Sequence, residues 1–197
     1  MRQIANANPQ RSPQNDCNLS VLMSHDRPVA KRYFVGESGE VEKQDYQLAK
    51  QFKATSFLIT TIYALARLIG LLSLSRHMIL LRGIHRDGQD DNTWRTKYEF
   101  QEHPDGTNWV MLDIDGVPAP EGISPVSLEA VQWLIRSKLP PEFQNVTCFY
   151  QFSGSAGVLK SDGSPLKPGI RVHLFYMLSR RVPGYLLAGY GNSDAVA

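Results

Sequence analysis

Asp113 and Asp115, in the stretch Asn108-Trp-Val-Met-Leu-Asp-Ile-Asp-Gly116, are the residues whose type and spacing point most directly to chemistry. Val110, Met111 and Leu112 are a short apolar run suited to a buried strand, so period-two spacing puts both carboxylates on one face of its end. Two anions held a few Å apart raise each other's pKa unless a divalent cation keeps both ionised. Oxygen ligands at a strand end suit Mg²⁺ or Mn²⁺, which retain waters and take their other ligands from a substrate's phosphates. The competing reading is plain: Asp115-Gly116 opens a turn and Asp113 is solvated.

Further along, the chain adds residues that fit phosphate chemistry. Ser153-Gly-Ser-Ala-Gly157 is a run of small residues whose backbone N–H groups can approach an anion closely. Ile170-Arg-Val-His-Leu-Phe-Tyr176 alternates, with Arg171 and His173 on one face and Val172 and Leu174 on the other. Arg82, after the apolar Met78-Ile-Leu-Leu81, is the first charged residue expected near the site. Alone, a strand histidine or a Ser/Gly loop says little. Together they supply metal ligands, phosphate donors and cations, the parts from which phosphoryl-transfer sites are built.

The elements that must position these residues read as follows. After the aspartates, Val117-Pro-Ala-Pro-Glu-Gly122 is a rigid loop, Ser124-Pro125 opens a helix, and Leu128, Val131, Leu134 and Ile135 recur at helical spacing up to Leu139-Pro140-Pro141. A strand over residues 146–152 follows, making a β-α-β unit whose crossover sets its two strands parallel in one sheet, with the site at their carboxyl ends. The Gly/Pro/Lys stretch of residues 160–168 is expected to be a hairpin connection. Upstream, residues 29–35 read as a strand turned back by Gly36-Glu-Ser-Gly39. Its Lys31 and Arg32 beside Tyr33 and Phe34 offer charge and stacking to a phosphate backbone, but the preferred reading is the solvated and buried faces of an edge strand. Leu58, Ile62, Leu65, Ile69 and Leu72 mark an amphipathic helix with no chemistry assigned. Residues 85–105 are charged and without a period, and are read as a surface loop with a short strand at 97–100; Arg86, Arg95 and Lys97 in it are available to nucleic acid.

Composition bounds the answer. A chain of 197 residues can hold one substantial domain, and a net charge of +2 requires any nucleic-acid surface to be a local patch. Two cysteines, Cys17 and Cys148, form neither a disulfide framework nor a metal-ligand pair, which fits a reducing, cytoplasmic setting. The first residues lack the apolar core of a secretory signal. Polar residues continue to about Asn18, and residues 1–27 are taken as a disordered leader. Residues 57–74 are the one membrane candidate, but Arg67 at the centre costs about 2.5–3.5 kcal/mol on insertion scales. The expectation is a buried helix of a domain without a membrane span.

The motifs Trp-Val-Met-Leu-Asp-Ile-Asp-Gly, Phe-Ser-Gly-Ser-Ala-Gly and Ile-Arg-Val-His-Leu-Phe-Tyr resemble the catalytic core of archaeo-eukaryotic-type primase-polymerases, nearest to forms carried by plasmids and phages. The resemblance covers about residues 78–181. It implies an α+β fold: an RNA-recognition-motif-like core with a mixed β-sheet packed by helices over residues 28–181, plus an N-terminal α/β extension, with 182–197 an irregular tail. It also implies two divalent metals, nucleoside triphosphates, a single-stranded DNA template and, in replication of a mobile element, a replicative helicase. By position, Asp113 and Asp115 resemble the metal-binding first motif, and His173 the second-motif histidine that contacts nucleotide phosphates. Ser153, Ser155, Arg171 and Arg82 are weaker nucleotide-binding neighbours. The second motif is commonly Ser-x-His, whereas Arg171 stands two before His173 here. The family's third motif supplies another acid on a later strand, yet Asp194 is the sole acid after His173, so the chain is expected to be truncated and its activity in this form is left open.

Two other readings stand beside this one. Hydrophobic-Asp-Ile-Asp-Gly-Val also resembles the nucleophile motif of haloacid-dehalogenase-type phosphatases, with Asp113 as nucleophile, Asp115 as general acid/base, and Ser153 in that family's phosphate-binding motif. That reading leaves the strand carrying His173 unused. The third is a non-catalytic remnant that binds nucleic acid or nucleotide.

Overall fold

The computed structural model describes residues 17–45 and 49–187. In chain order its elements are β1 (Leu19–Ser24), β2 (Arg32–Val35), β3 (Val41–Gln44), β4 (Phe52–Phe57), α1 (Ile62–Ser73), β5 (Met78–Leu81), β6 (Ile84–His85), β7 (Gln89–Thr93), β8 (Phe100–Gln101), β9 (Thr107–Val117), α2 (Leu128–Lys138), α3 (Pro141–Gln144), β10 (Cys148–Phe152), β11 (Ile170–Val182) and α4 (Gly184–Leu187). The class is α+β, with several antiparallel sheets and few helices.

The sheet that carries the aspartates has the order β10-β11-β9. β11 runs antiparallel to both neighbours, so β9 and β10 are parallel to each other, as the α2 crossover demands, but with β11 inserted between them. The expected mixed sheet is corrected here: among the described residues every strand pairing is antiparallel. The long 153–169 connection lets the chain return between the two parallel strands, which a tight adjacent pairing would have closed off.

Alternation then divides the sheet into two faces. Val110, Leu112 and Ile114 of β9 and Val172, Leu174 and Tyr176 of β11 pack with Ala130, Val131 and Leu134 of α2 in the largest core. Ser127, three residues later than the expected cap, starts α2 by accepting the Ala130 N–H at 3.1 Å. It wins because Ser124-Pro125 lies in the preceding turn, whose carbonyl accepts the Ser127 hydroxyl at 2.7 Å. The opposite face buries Trp109 and Phe175 against Leu65 and Ile69 of α1.

α1 begins where Thr61 accepts the Ala64 N–H at 3.1 Å, leaving Leu58 outside it. Only Leu65 and Ile69 are buried, while Tyr63 and Leu71 are exposed, so the helix lies on the surface and is not the buried rod expected from its hydropathy. Among the described residues no helix is long and apolar enough to cross a membrane.

A second sheet, β5-β1-β4-β7, lies on the α1 side. Its strand β1 corrects the leader boundary at 27: Leu19 and Leu22 are completely buried, with β4 and β5 paired on either side. Asn18 ties this sheet to the other. Its side chain accepts the Ile59 N–H at 2.9 Å and donates to the Ile59 carbonyl at 2.6 Å and to the Asn108 side chain. The Trp109 indole N–H donates to the Asn18 carbonyl at 3.3 Å. β4 falls in a stretch of mixed composition and β7 in the segment read as a surface loop. β7, Gln-Asp-Asp-Asn-Thr, has no apolar residue and is held as an edge strand by its ladder to β4. Within the expected loop, His85 is buried and bonds Thr93 Oγ1 at 3.0 Å, and Phe100 packs with Leu22, Phe52 and Ala54, so that region is built onto the second sheet.

Candidate functional site

The register of β9 on β11 sets Asp113 opposite His173 and Asp115 opposite Arg171. All four side chains project from the face that α1 covers only in part. His173 Nε2 lies 3.3 Å from Asp113 Oδ1, and the Arg171 guanidinium contacts Asp115 Oδ1. The carboxylates are well exposed, at 64% and 63%, whereas the Arg171 side chain is only 10% exposed. The Arg171 guanidinium thus sits almost buried beneath the exposed carboxylate it pairs with. Its Nε is buried with no hydrogen-bond partner among the described residues.

A bulge ends the ladder beside this pair. Arg171 pairs with Asp115 but Ile170 pairs with Val117, which leaves Gly116 as the extra residue, at φ +87°. Gly169 faces it so closely that a Cβ there would lie 2.7 Å from the Gly116 carbonyl carbon. Bulges terminate pairing and re-aim side chains. Here Gly116 and Gly169 let the ladder step over one residue after Asp115 and resume at Val117, so the sequence signal Asp-Gly marks a bulge within the strand and not the turn that opens from it.

The Ser/Gly loop joins the same face. The Ser153 N–H donates to the Arg171 carbonyl at 3.0 Å, extending the β10–β11 pairing by one step, and the Ala156 N–H closes a turn on the Ser153 carbonyl at 2.9 Å. Ser155 is buried, with its Oγ 3.4 Å from Ser153 Oγ. Ser153, Ser155, Asp113, Asp115, Arg171 and His173 all line one cleft of about 460 Å³.

The same cleft contains residues the sequence reading passed over. Lys31 and Tyr33 line it from the β2–β3 hairpin, and Lys167 from the connection before β11. Period two was the available signal: Lys31 and Tyr33 share one side of their strand, while Arg32 stacks its guanidinium over Phe34 on the other, 5.5 Å from the ring centroid. Ser161 donates to Glu40, tying the tip of the hairpin to the β10–β11 connection. Arg82 is not beside the aspartates. It lines a second, more apolar cleft of about 600 Å³, whose wall includes Met111, Phe175 and the end of α1. The two clefts meet at Ala30, Ser153, Gly154 and His173.

No family model, curated protein or solved structure matches the chain. The site therefore stands on its own geometry. Asp113 and Asp115 offer exposed hard oxygen donors from one face, which fits a divalent cation such as Mg²⁺ that takes one or two carboxylates and completes its shell with water and phosphate. Among the described residues no group of three or more His, Cys, Asp or Glu side chains is placed to hold a metal ion, so the two aspartates would supply the protein's share of ligands. Asp194, the one acid after His173, lies outside the described residues. Chemically, the cleft pairs two anions with Arg171, His173, Lys31 and Lys167, an arrangement suited to a polyanion bridged to the carboxylates by a cation.

Proposed function

We propose that this face binds a nucleoside triphosphate and carries out template-directed nucleotidyl transfer, as a primase-polymerase built on an RNA-recognition-motif-like core. The observation that carries the proposal is the in-register apposition of Asp113 and Asp115 with His173 and Arg171 on one open sheet face. Further support comes from the antiparallel strand inserted between the parallel strands of a β-α-β unit, and from the Ser/Gly loop beside the charged residues.

In this reading Asp113 and Asp115 hold Mg²⁺ or Mn²⁺. The bound ion would neutralise phosphate charge as a Lewis acid. Arg171, Lys31 and Lys167 hold the triphosphate by charge, and His173 donates a hydrogen bond to it from Nε2. The Ser153–Ser155 loop lies against the same phosphates. A primer 3′-oxygen then attacks the α-phosphorus, forming the new P–O bond as the bond to pyrophosphate breaks, and the hydroxyl proton passes to water. Positioning and charge neutralisation do most of the work in such a reaction. A single-stranded DNA template would lie along the adjoining surface.

The phosphatase reading has less support, because it gives no task to Arg171 or His173, the closest partners of the two aspartates.

The test is nucleotide incorporation on a primed single-stranded DNA template with Mn²⁺ or Mg²⁺. Asp113→Ala/Asp115→Ala is expected to lose at least about 100-fold of the product, since several kcal/mol of metal-borne charge stabilisation go with the ligands. No product from the parent chain, with metal-dependent nucleotide binding intact, would reduce the function to binding. Neither product nor binding would reject the proposal.

A further inference from the structure

Resting on the nucleotidyl-transfer reading above, we infer that the 600 Å³ cleft is the nucleoside subsite and that Gln151 within it reads the ribose 2′-hydroxyl, making ribonucleotides the preferred substrate class. The grounds are the order of residues across the sheet. On the site face, three rows run from β10 through β11 to β9. Ser153, Arg171 and Asp115 make the first row, at the bulge. Gln151, His173 and Asp113 make the second, and Phe149, Phe175 and Met111 the third. Successive rows are two residues apart, about 6.5–7 Å along the strands.

The chemistry of the rows changes in one direction. The first is charged and small, the second holds the hydrogen-bonding side chains of Gln151 and His173 beside one carboxylate, and the third is apolar. A nucleotide has the same sequence of parts: an anionic phosphate, a hydroxyl-bearing sugar and an apolar ring with polar edges. With phosphates at the first row, the sugar falls at the second, because His173 is shared between the charged cleft and the apolar one. The base then lies over Met111, which is 44% exposed, between the sheet and the end of α1.

Gln151 is the residue of the second row with the right valence. It lines the apolar cleft only, next to His173. Its amide offers both a donor and an acceptor, and a 2′-hydroxyl is likewise both. The Gln151 side-chain amide has no hydrogen-bond partner among the described residues. A half-buried amide without a partner at the junction of the two clefts is available to a ligand group that deoxyribonucleotides lack.

The experiment is equilibrium binding of ATP and dATP to the full chain with Mn²⁺ by titration calorimetry, without template. The parent chain is expected to bind ATP about three- to tenfold more tightly than dATP, the range for one neutral hydrogen bond. Gln151→Leu should bring ATP down to the dATP affinity while leaving dATP within about twofold of its parent value. Gln151→Glu, which still accepts the hydroxyl hydrogen, should weaken both nucleotides by charge repulsion and keep the preference. Equal affinities in the parent chain, or a preference that survives Gln151→Leu, would overturn the ribose assignment. If Gln151→Leu does not fold, loss of preference in Gln151→Glu overturns it instead. No metal-dependent binding of either nucleotide to the parent chain would overturn the nucleotidyl-transfer reading and the subsite together.

Discussion

The two faces of the β9–β11 sheet are made by alternate residues of the same strands, and they behave differently along their length. Beneath α2 the face is apolar throughout, from Val110 and Tyr176 to Ile114 and Val172, all buried. The opposite face starts apolar at Trp109 and Phe175 under α1 and ends in Asp113, Asp115, Arg171 and His173 in an open cleft. Both have the same backbone and the same pleat. What differs is cover: α2 lies over its whole face, whereas α1 and the second sheet stop short. Where cover ends, charge is tolerated, and a rigid sheet presents it.

That comparison can be broken most severely from the covered side. Leu174 is completely buried beneath α2, and Leu174→Ala is expected to cost about 2–5 kcal/mol of stability, the range for core leucines. Urea unfolding monitored by far-ultraviolet circular dichroism measures it, and the folded fraction should keep its metal-dependent nucleotide binding. A loss of binding in fully folded protein would mean that the two faces are not separable.

From the open side the signs reverse. Asp113→Asn removes charge from a side chain that is 64% exposed and only loosely paired with His173, so stability should change by less than about 1 kcal/mol. Metal-dependent nucleotide binding should nevertheless disappear, read by calorimetry with Mn²⁺. A stability loss comparable to that of Leu174→Ala would show that the open face also supports the fold.

The smallest expected effect sharpens the comparison within the covered face. The Tyr176 hydroxyl is buried there next to the Cys148 thiol, across the ladder from it. Burial raises the pKa of the Tyr176 phenol and of the Cys148 thiol above their ordinary values of 10.0 and 9.0. Folded protein therefore keeps protons that the unfolded chain releases, so this contribution is fully present below pH 9 and is lost as pH rises above it. Tyr176→Phe should change neutral-pH stability by less than about 1 kcal/mol, because only a weak contact with the Cys148 thiol is lost. It should also flatten the alkaline fall of the melting temperature between pH 8 and 11. An unchanged alkaline slope would place that titration elsewhere.

Much of the site was legible because period two is a strong local rule. It assigned Asp113 with Asp115, and Arg171 with His173, to shared faces, and the loop at Ser153 and Ser155 to their neighbourhood. The same rule applied one step back from Ser153 reaches Gln151, and applied to the hairpin it reaches Lys31 and Tyr33. Those residues were passed over because single polar or basic positions on a strand look like solvated surface until the opposite wall of the cleft is known. β1 was hidden by its polar surroundings, and β4 and β7 by mixed composition. For β7, nothing local marks a strand, since its stability comes from the ladder to β4. Arg82 was drawn toward the aspartates by its position after an apolar strand, but that strand belongs to the other sheet.

Sequence alone determined which side chains share a face, where α1 and α2 run and where the chain turns, because alternation, helical spacing and proline or glycine act over a few residues. Only the tertiary structure decided that Asp113 faces His173 and Asp115 faces Arg171, and that β11 lies between β9 and β10. Those pairings join residues far apart in the chain. Their register is set by the long connection between β10 and β11, by the bulge at Gly116 against Gly169, and by the packing of one whole face under α2, none of which is written within any single strand.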